Sequence, residues 1–245
     1  MAASHSFHSP VTRAWAAVLA LLLLWPTWTA VSNGLSDVHA RPAIDYLEEK
    51  RFDDYVISED EWLAIEGRVL QAHVLMPSNP RYLGALGWLH QLRLTLFAEQ
   101  MTAAQMDAHA TAARDYYQQA AALRPTWSHY WGNLALEHHR SGNYASNPYS
   151  LALTNAADFG PWDNKTQRLV TDLGTESWDY LSPRAQAHVL TNVERALHRQ
   201  PQNTVRTVRA LDGWTKLCSA ADTLLAQERP HLLALCVQLE GTAGR

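Results

Sequence analysis

The sequence predicts an all-α protein, a solenoid of helical hairpins behind one N-terminal transmembrane helix. Three observations predict it. A run of 18 residues without charge, Ala14 to Val31, lies near the N-terminus. Beyond it, a short element closing on proline recurs four times. No segment alternates apolar and polar residues for long enough to argue a sheet.

Composition sets the limits. With 245 residues, 47% hydrophobic and 18% charged, the chain can bury a sizeable interior. A formal net charge of -4 and a pI near 6.3 leave no broad basic surface to neutralise phosphates, which argues against a nucleic-acid partner. Lys50, Lys165 and Lys216 are the only lysines among 20 basic residues; that arginine bias, with abundant Ala and Trp, points to a GC-rich bacterial genome. Cys218 and Cys236 are the only cysteines, so neither a four-thiolate zinc site nor a disulfide scaffold can be built. One disulfide remains available to them.

The first element is the apolar run AWAAVLALLLLWPTWTAV. As a helix its 18 residues would rise about 27 Å, enough to cross the hydrocarbon core of a bilayer. Arg13 precedes it and Asp37 follows it, which places the N-terminus in the cytoplasm and the remainder across the inner membrane, in the periplasm. Trp25 and Trp28 suit the outer interface. Residues 1–31 are thus read as a cytoplasmic tip and anchor, 32–42 as a polar spacer and 43–245 as the repeat domain. A cleaved signal peptide is the alternative, with a cut at Val38-His39-Ala40. A buried soluble helix fits badly because the run is apolar on every side.

The recurring element reads Ala72-His-Val-Leu75-Met-Pro77, Ala120-Ala-Ala-Leu123-Arg-Pro125, Ala156-Ala-Asp-Phe159-Gly-Pro161 and, more weakly, Ala196-Leu-His-Arg199-Gln-Pro201. Its small Ala lets one helix approach another, the apolar residue three later shares that face, and Pro stops the helix. Such an element is the end of the second helix of a hairpin.

These residues resemble the tetratricopeptide family, whose period is about 34 residues. Within Tyr130-Trp-Gly-Asn-Leu-Ala-Leu-Glu-His-His-Arg-Ser-Gly-Asn-Tyr144, the residues Trp131, Leu134, Ala135 and Gly142 fall where the family's first helix and turn have Trp, Leu, a small residue and Gly. Ala113-Arg-Asp-Tyr-Tyr-Gln-Gln-Ala120 matches a second helix, and Tyr82-Leu-Gly-Ala-Leu86-Gly87 a first one. The similarity is strongest from Tyr82 to Pro161 and frays towards the C-terminus. Two stretches, Trp88 to Thr111 and Tyr144 to Pro161, are longer than the family's spacing.

Helices are therefore expected near Ile44 to Tyr55, Glu59 to Met76, Pro80 to Phe97, Ala103 to Leu123, Trp127 to Ser141, Pro148 to Phe159, Trp162 to Leu173, Pro183 to Gln200, Thr204 to Leu217 and Arg229 to Leu239. Ser58 with Glu61 and Thr102 with Gln105 have capping-box spacing. Asn147-Pro148 and Ser182-Pro183 each put a capping side chain before a proline at the first helical position.

No chemistry of catalysis stands out. His129, His138 and His139 lie close to Glu137, but adjacent histidines project about 100° apart on a helix, and no His-x-x-x-His spacing puts two ligands on one face. No nucleophile elbow, phosphate-binding loop or dinucleotide fingerprint occurs. The chain is read as having no enzyme activity, metal or cofactor. Ten tryptophans raise the question of sugar stacking, for which Trp127, Trp162 and Trp178 are candidates. Trp62, Trp88 and Trp214 sit within apolar helical patterns, Trp131 falls where the tetratricopeptide resemblance implies an aromatic buried between helices, and all four are expected in the core. Asn164-Lys-Thr166 fits a glycosylation pattern that matters only in a eukaryotic secretory pathway.

The layout as a whole, with the anchor, Leu86-Gly87-Trp88, Leu123-Arg-Pro-Thr-Trp127, Trp131-Gly-Asn-Leu-Ala135, Phe159-Gly-Pro-Trp162 and Trp178-Asp-Tyr-Leu-Ser-Pro183, resembles the VpsP-like accessory proteins of bacterial exopolysaccharide biosynthesis. That similarity implies a non-enzymatic scaffold that binds protein partners of a membrane polysaccharide assembly, and it carries over no catalytic residues. A general envelope scaffold unrelated to polysaccharide and a sugar-binding module are the alternatives. The tetratricopeptide pattern implies a concave groove lined by first helices, with Arg81, Trp88, Gln91, His129, Asn133, His139 and Arg140 as the protein-binding residues. Cys218 and Cys236, 18 positions apart, suit a disulfide between two helices that fold back through the Arg229-Pro230 turn.

Overall fold

The computed structural model describes residues 10–49, 57–223 and 230–243, and among these it holds eleven α-helices and no strand. In chain order they are α1 (Pro10–Glu49), α2 (Glu59–Leu75), α3 (Pro80–Leu96), α4 (Ala103–Leu123), α5 (Ser128–Arg140), α6 (Asn147–Phe159), α7 (Asn164–Glu176), α8 (Pro183–Arg199), α9 (Pro201–Ala210), α10 (Trp214–Thr223) and α11 (Pro230–Ala243). The chain divides into two compact units, 1–82 and 83–245, with the division inside α3.

In the first unit α1 packs on α2. The two halves of α1 live in different environments. From Val11 to Val31 its large apolar side chains are exposed, Trp25 at 73% and Trp28 at 67% among them. From Ser32 onward one stripe is buried, formed by Ser32, Ser36, Ala40, Ala43, Ile44 and Leu47, at the spacing of one helical face. The stretch Ser32 to Pro42, expected as a spacer, is therefore helical, and the apolar run continues into the packed stripe without a break. Two prolines, Pro26 and Pro42, sit inside the helix, and each withholds a donor from the carbonyl four residues back. The expected helix Ile44 to Tyr55 runs to Glu49, and its residues from 50 onward lie outside the described ones. Tyr82 closes this unit: its hydroxyl lies 3.0 Å from Ser36 Oγ and 3.0 Å from Asp37 Oδ1.

In the second unit successive helices pack in a staggered series. α4 packs on α5; α5 on α6 and α7; α6 on α7 and α8; α7 on α8 and α9; α8 on α9. α11 departs from the series and lies on α8 and α10. The core between them is built from small and aromatic residues, with Ala113, Tyr117, Ala120, Ala135, Tyr149, Ala152 and Ala156 fully buried. Alanine stripes let backbones approach, as at Gly174 of α7, where an added Cβ would stand 2.5 Å from Val189 Cγ2 of α8.

Both capping boxes form: Ser58 and Glu61 cap α2 reciprocally, and Thr102 and Gln105 cap α4. The cap of α6 is Ser146, one residue earlier than expected, with Asn147 inside the helix. Ser182 caps α8. The long interval from Trp88 to Thr111 is taken up by helix, since α3 runs to Leu96 and α4 starts at Ala103, with one 3₁₀ turn, Ala98–Gln100, between them.

Several boundaries from α7 onward differ from the sequence expectation. The single helix foreseen from Thr204 to Leu217 is two, broken at Asp212-Gly213, where Asp212 has φ 49. Gly213 is required there because a Cβ would stand 2.1 Å from Thr175 Cγ2. α7 begins at Asn164, capped by Asp163, which leaves Trp162 in the preceding turn. Arg229 of the expected C-terminal helix lies outside the described residues.

Candidate functional site

The helix α5 organises the polar groups of the second unit. Its residues Tyr130, Leu134 and Glu137 recur at one-face spacing and all are buried. Glu137 is fully buried, so this face carries a carboxylate into the interior. Gln91 Nε2 of α3 donates to Glu137 Oε1 at 2.8 Å, and Arg140 Nη1 lies 3.4 Å from the same oxygen. The Tyr117 hydroxyl of α4 donates to Gln91 Oε1 at 3.1 Å. Glu137 Oε2 is buried without a hydrogen-bond partner.

Beside this network is an open pocket of about 540 Å³, lined by Leu94 and Thr95 of α3, Met106, Asp107 and Ala110 of α4, and Glu137, Arg140 and Ser141 from α5 and its C-cap. Arg114 of α4 braces the wall by donating to Ser141 Oγ and, at 2.8 Å, to Thr111 Oγ1. Burial pushes the Glu137 carboxyl above the usual carboxylate range, against the opposing pull of Arg140, Gln91 and Arg114. Desolvation favours the protonated form of a buried carboxyl, and counter-charge and hydrogen bonds favour the ionised one.

The structure brings together only part of the expected groove. Gln91 and Arg140 meet at Glu137. Gln91 itself is buried and both ends of its amide are engaged. Trp88 is half-buried and packs against the core. His129 sits at the other end of α5, where its Nε2 is 3.7 Å from Asp163 Oδ2. His139 turns toward α7, its Nε2 3.2 Å from Glu176 Oε2, so it and Arg140 address different neighbours. Asn133 is half-buried. Arg81 belongs to the first unit and pairs there with Asp45 at 3.3 Å and Glu48 at 3.9 Å.

The remaining sequence candidates separate as well. Trp178 is buried, whereas Trp127 and Trp162 are exposed, and Arg124 stacks over Trp127 with its Cζ 4.0 Å from the ring centroid. Trp62 is buried; Trp131 and Trp214 are half-buried against the core. His138 has its Nδ1 buried without a hydrogen-bond partner. Burial, with Arg114 nearby, lowers its pKa. Cys218 of α10 and Cys236 of α11 form a disulfide with their Cα atoms 5.6 Å apart.

Glu137 is the residue that sequence reasoning passed over, weighing it only as a neighbour of histidines. Its spacing to Tyr130 and Leu134 was the available signal. Neither a protein-family model nor any curated protein sequence matches the chain.

Proposed function

We propose that this chain is a non-enzymatic, membrane-anchored scaffold of tetratricopeptide-like hairpins that binds partner proteins in bacterial exopolysaccharide biosynthesis or export. Its anchor is single-pass in the inner membrane, and its repeats lie in the periplasm.

The observation that carries the anchoring is the division of α1. One continuous helix has bare apolar residues up to Val31 and a buried stripe from Ser32, and it is long and apolar enough to cross a membrane. The two hydroxyls in the apolar run donate to the helix's own backbone, Thr27 to Leu23 O at 2.8 Å and Thr29 to Pro26 O at 2.9 Å, which is how a polar side chain is accommodated in lipid. The competing cut after Ala40 would fall inside this helix and discard Ser36 and Asp37, the partners of the Tyr82 hydroxyl. That argues for retention of the segment.

The staggered packing of α5 to α9, each helix on the next and the next but one, supports the hairpin-repeat reading. The pocket beside Glu137 and Arg140 supports partner binding. The polysaccharide assignment rests on the resemblance carried by Phe159-Gly-Pro-Trp162 and Trp178-Asp-Tyr-Leu-Ser-Pro183.

A C-terminal alkaline phosphatase fusion is expected to be active, and an inactive one overturns the orientation. Replacing Asn133 and Arg140 together with Ala is expected to leave helical content nearly unchanged, to abolish partner co-purification from native membranes and to reduce surface polysaccharide. Unchanged co-purification and unchanged polymer in that variant reject the groove.

A further inference from the structure

We infer that the pocket between α3, α4 and α5 receives a primary ammonium group, presented as the lysine side chain of a partner protein, with Glu137 as its counter-charge and Asp107 at its rim. The inference rests on the partner-binding reading above and names the chemistry of the group bound.

The argument starts from Glu137. It is fully buried, lines the pocket, and has only Oε1 engaged, by Gln91 and Arg140, while Oε2 is buried and unpartnered. A buried carboxylate oxygen without a donor costs free energy in the unliganded fold, and a ligand that supplies a donor recovers it on binding. One free oxygen suits a point-like ammonium. A guanidinium could pair in its bidentate fork geometry only by displacing Gln91 and Arg140 from Oε1.

The rest of the pocket agrees. Asp107, exposed on α4, lines the pocket and adds a second carboxylate, which disfavours an anionic ligand. Arg140, which also lines the pocket, engages only Oε1 of Glu137 and leaves Oε2 without a donor. Leu94, Met106 and Ala110 supply an apolar lining for the four methylenes of a lysine stem, the mode in which lysine covers apolar surface while its ammonium finds a polar partner.

The test uses the full chain in lipid nanodiscs and ligand-observed NMR with three probes: Nα-acetyl-lysine N-methylamide, its norleucine counterpart, which has the stem without the charge, and its arginine counterpart. The lysine probe is expected to bind saturably, and the other two about tenfold more weakly, the scale of one charge-assisted hydrogen bond. Glu137→Gln, which keeps the side-chain shape, is expected to weaken the lysine probe about tenfold, and the exposed Asp107→Asn about threefold. Equal binding of lysine and norleucine probes overturns the inference, as does undiminished lysine binding in either variant. Asp107→Asn carries the test alone if Glu137→Gln does not fold. Failure of the lysine probe while partner proteins still co-purify overturns the ammonium assignment and leaves the scaffold reading standing.

Discussion

Glu137 carries a carboxyl group into the interior, and titrating the fold measures the consequence. Burial raises its pKa above the ordinary 4.5, so the folded chain holds that proton more tightly than the unfolded chain. Stability from this group is therefore fully present below that ordinary value and is lost as pH rises through the raised one. His90 acts at the opposite limb. Burial, followed by His109 and Arg93, lowers its pKa from 6.5 to about 4, so its contribution is present above 6.5 and is lost as pH falls toward about 4. Urea midpoints measured across this range are expected to show both losses. Glu137→Gln is expected to remove the neutral-side loss and to be at least as stable as wild type near pH 7; a less stable variant there contradicts the account. The burial of Glu137 was legible in its spacing from Tyr130 and Leu134. Its surroundings were not, because Gln91 stands 46 residues away in the chain and no local pattern links the two.

At the scale of the element, glycines of the same residue type answer opposite questions. A Cβ at Gly174 would meet Val189 Cγ2 at 2.5 Å and Cγ1 at 2.7 Å, and Val189 is itself fully buried. Gly174→Ala is expected to destabilise by about 1–3 kcal/mol by forcing α7 from α8. At Gly67, inside α2, nothing lies within 4 Å of an added Cβ, and Gly67→Ala is expected to stabilise by about 0.5–1 kcal/mol through helix propensity. Thermal unfolding of the two variants checks both signs. Helix starts were the legible part of these elements, since a cap needs only residues three apart, as at Ser58 and Thr102. The break at Asp212-Gly213 carried a turn signal in its residues; what requires Gly213 is Thr175, from α7. The helical path from Ser32 to Pro42 was hidden by its polar residues and Pro42, and the packing of α1 on α2 overrides that local composition.

For the whole molecule, the disulfide between α10 and α11 sets a condition on where the chain matures. Cys218 and Cys236 enclose 18 residues of sequence separation, and a loop of this size is worth about 3 kcal/mol on chain-entropy grounds. Replacing both with Ser is expected to lower stability by about that amount under oxidising conditions and to match the wild type once it is reduced. Two alkylatable thiols in protein purified without reductant contradict the bond. α11 also depends on Glu194 of α8, whose Oε2 accepts from the backbone N–H of Leu232 at 2.7 Å.

The unbroken course of α1 bears on the proposed anchoring. Burial starts at Ser32, the residue after the apolar run ends at Val31, so an anchored chain has no slack between lipid and fold. A flexible tether of n residues sweeps a sphere that widens as about the square root of n and dilutes its cargo through that volume. If the apolar half of α1 lies in a bilayer, the swept volume of the first unit collapses toward a thin sheet at its surface. On the proposed scaffold reading, partners held in the same membrane would be met by lateral diffusion at a fixed height, whereas partners free in the surrounding solution would gain nothing from the anchor.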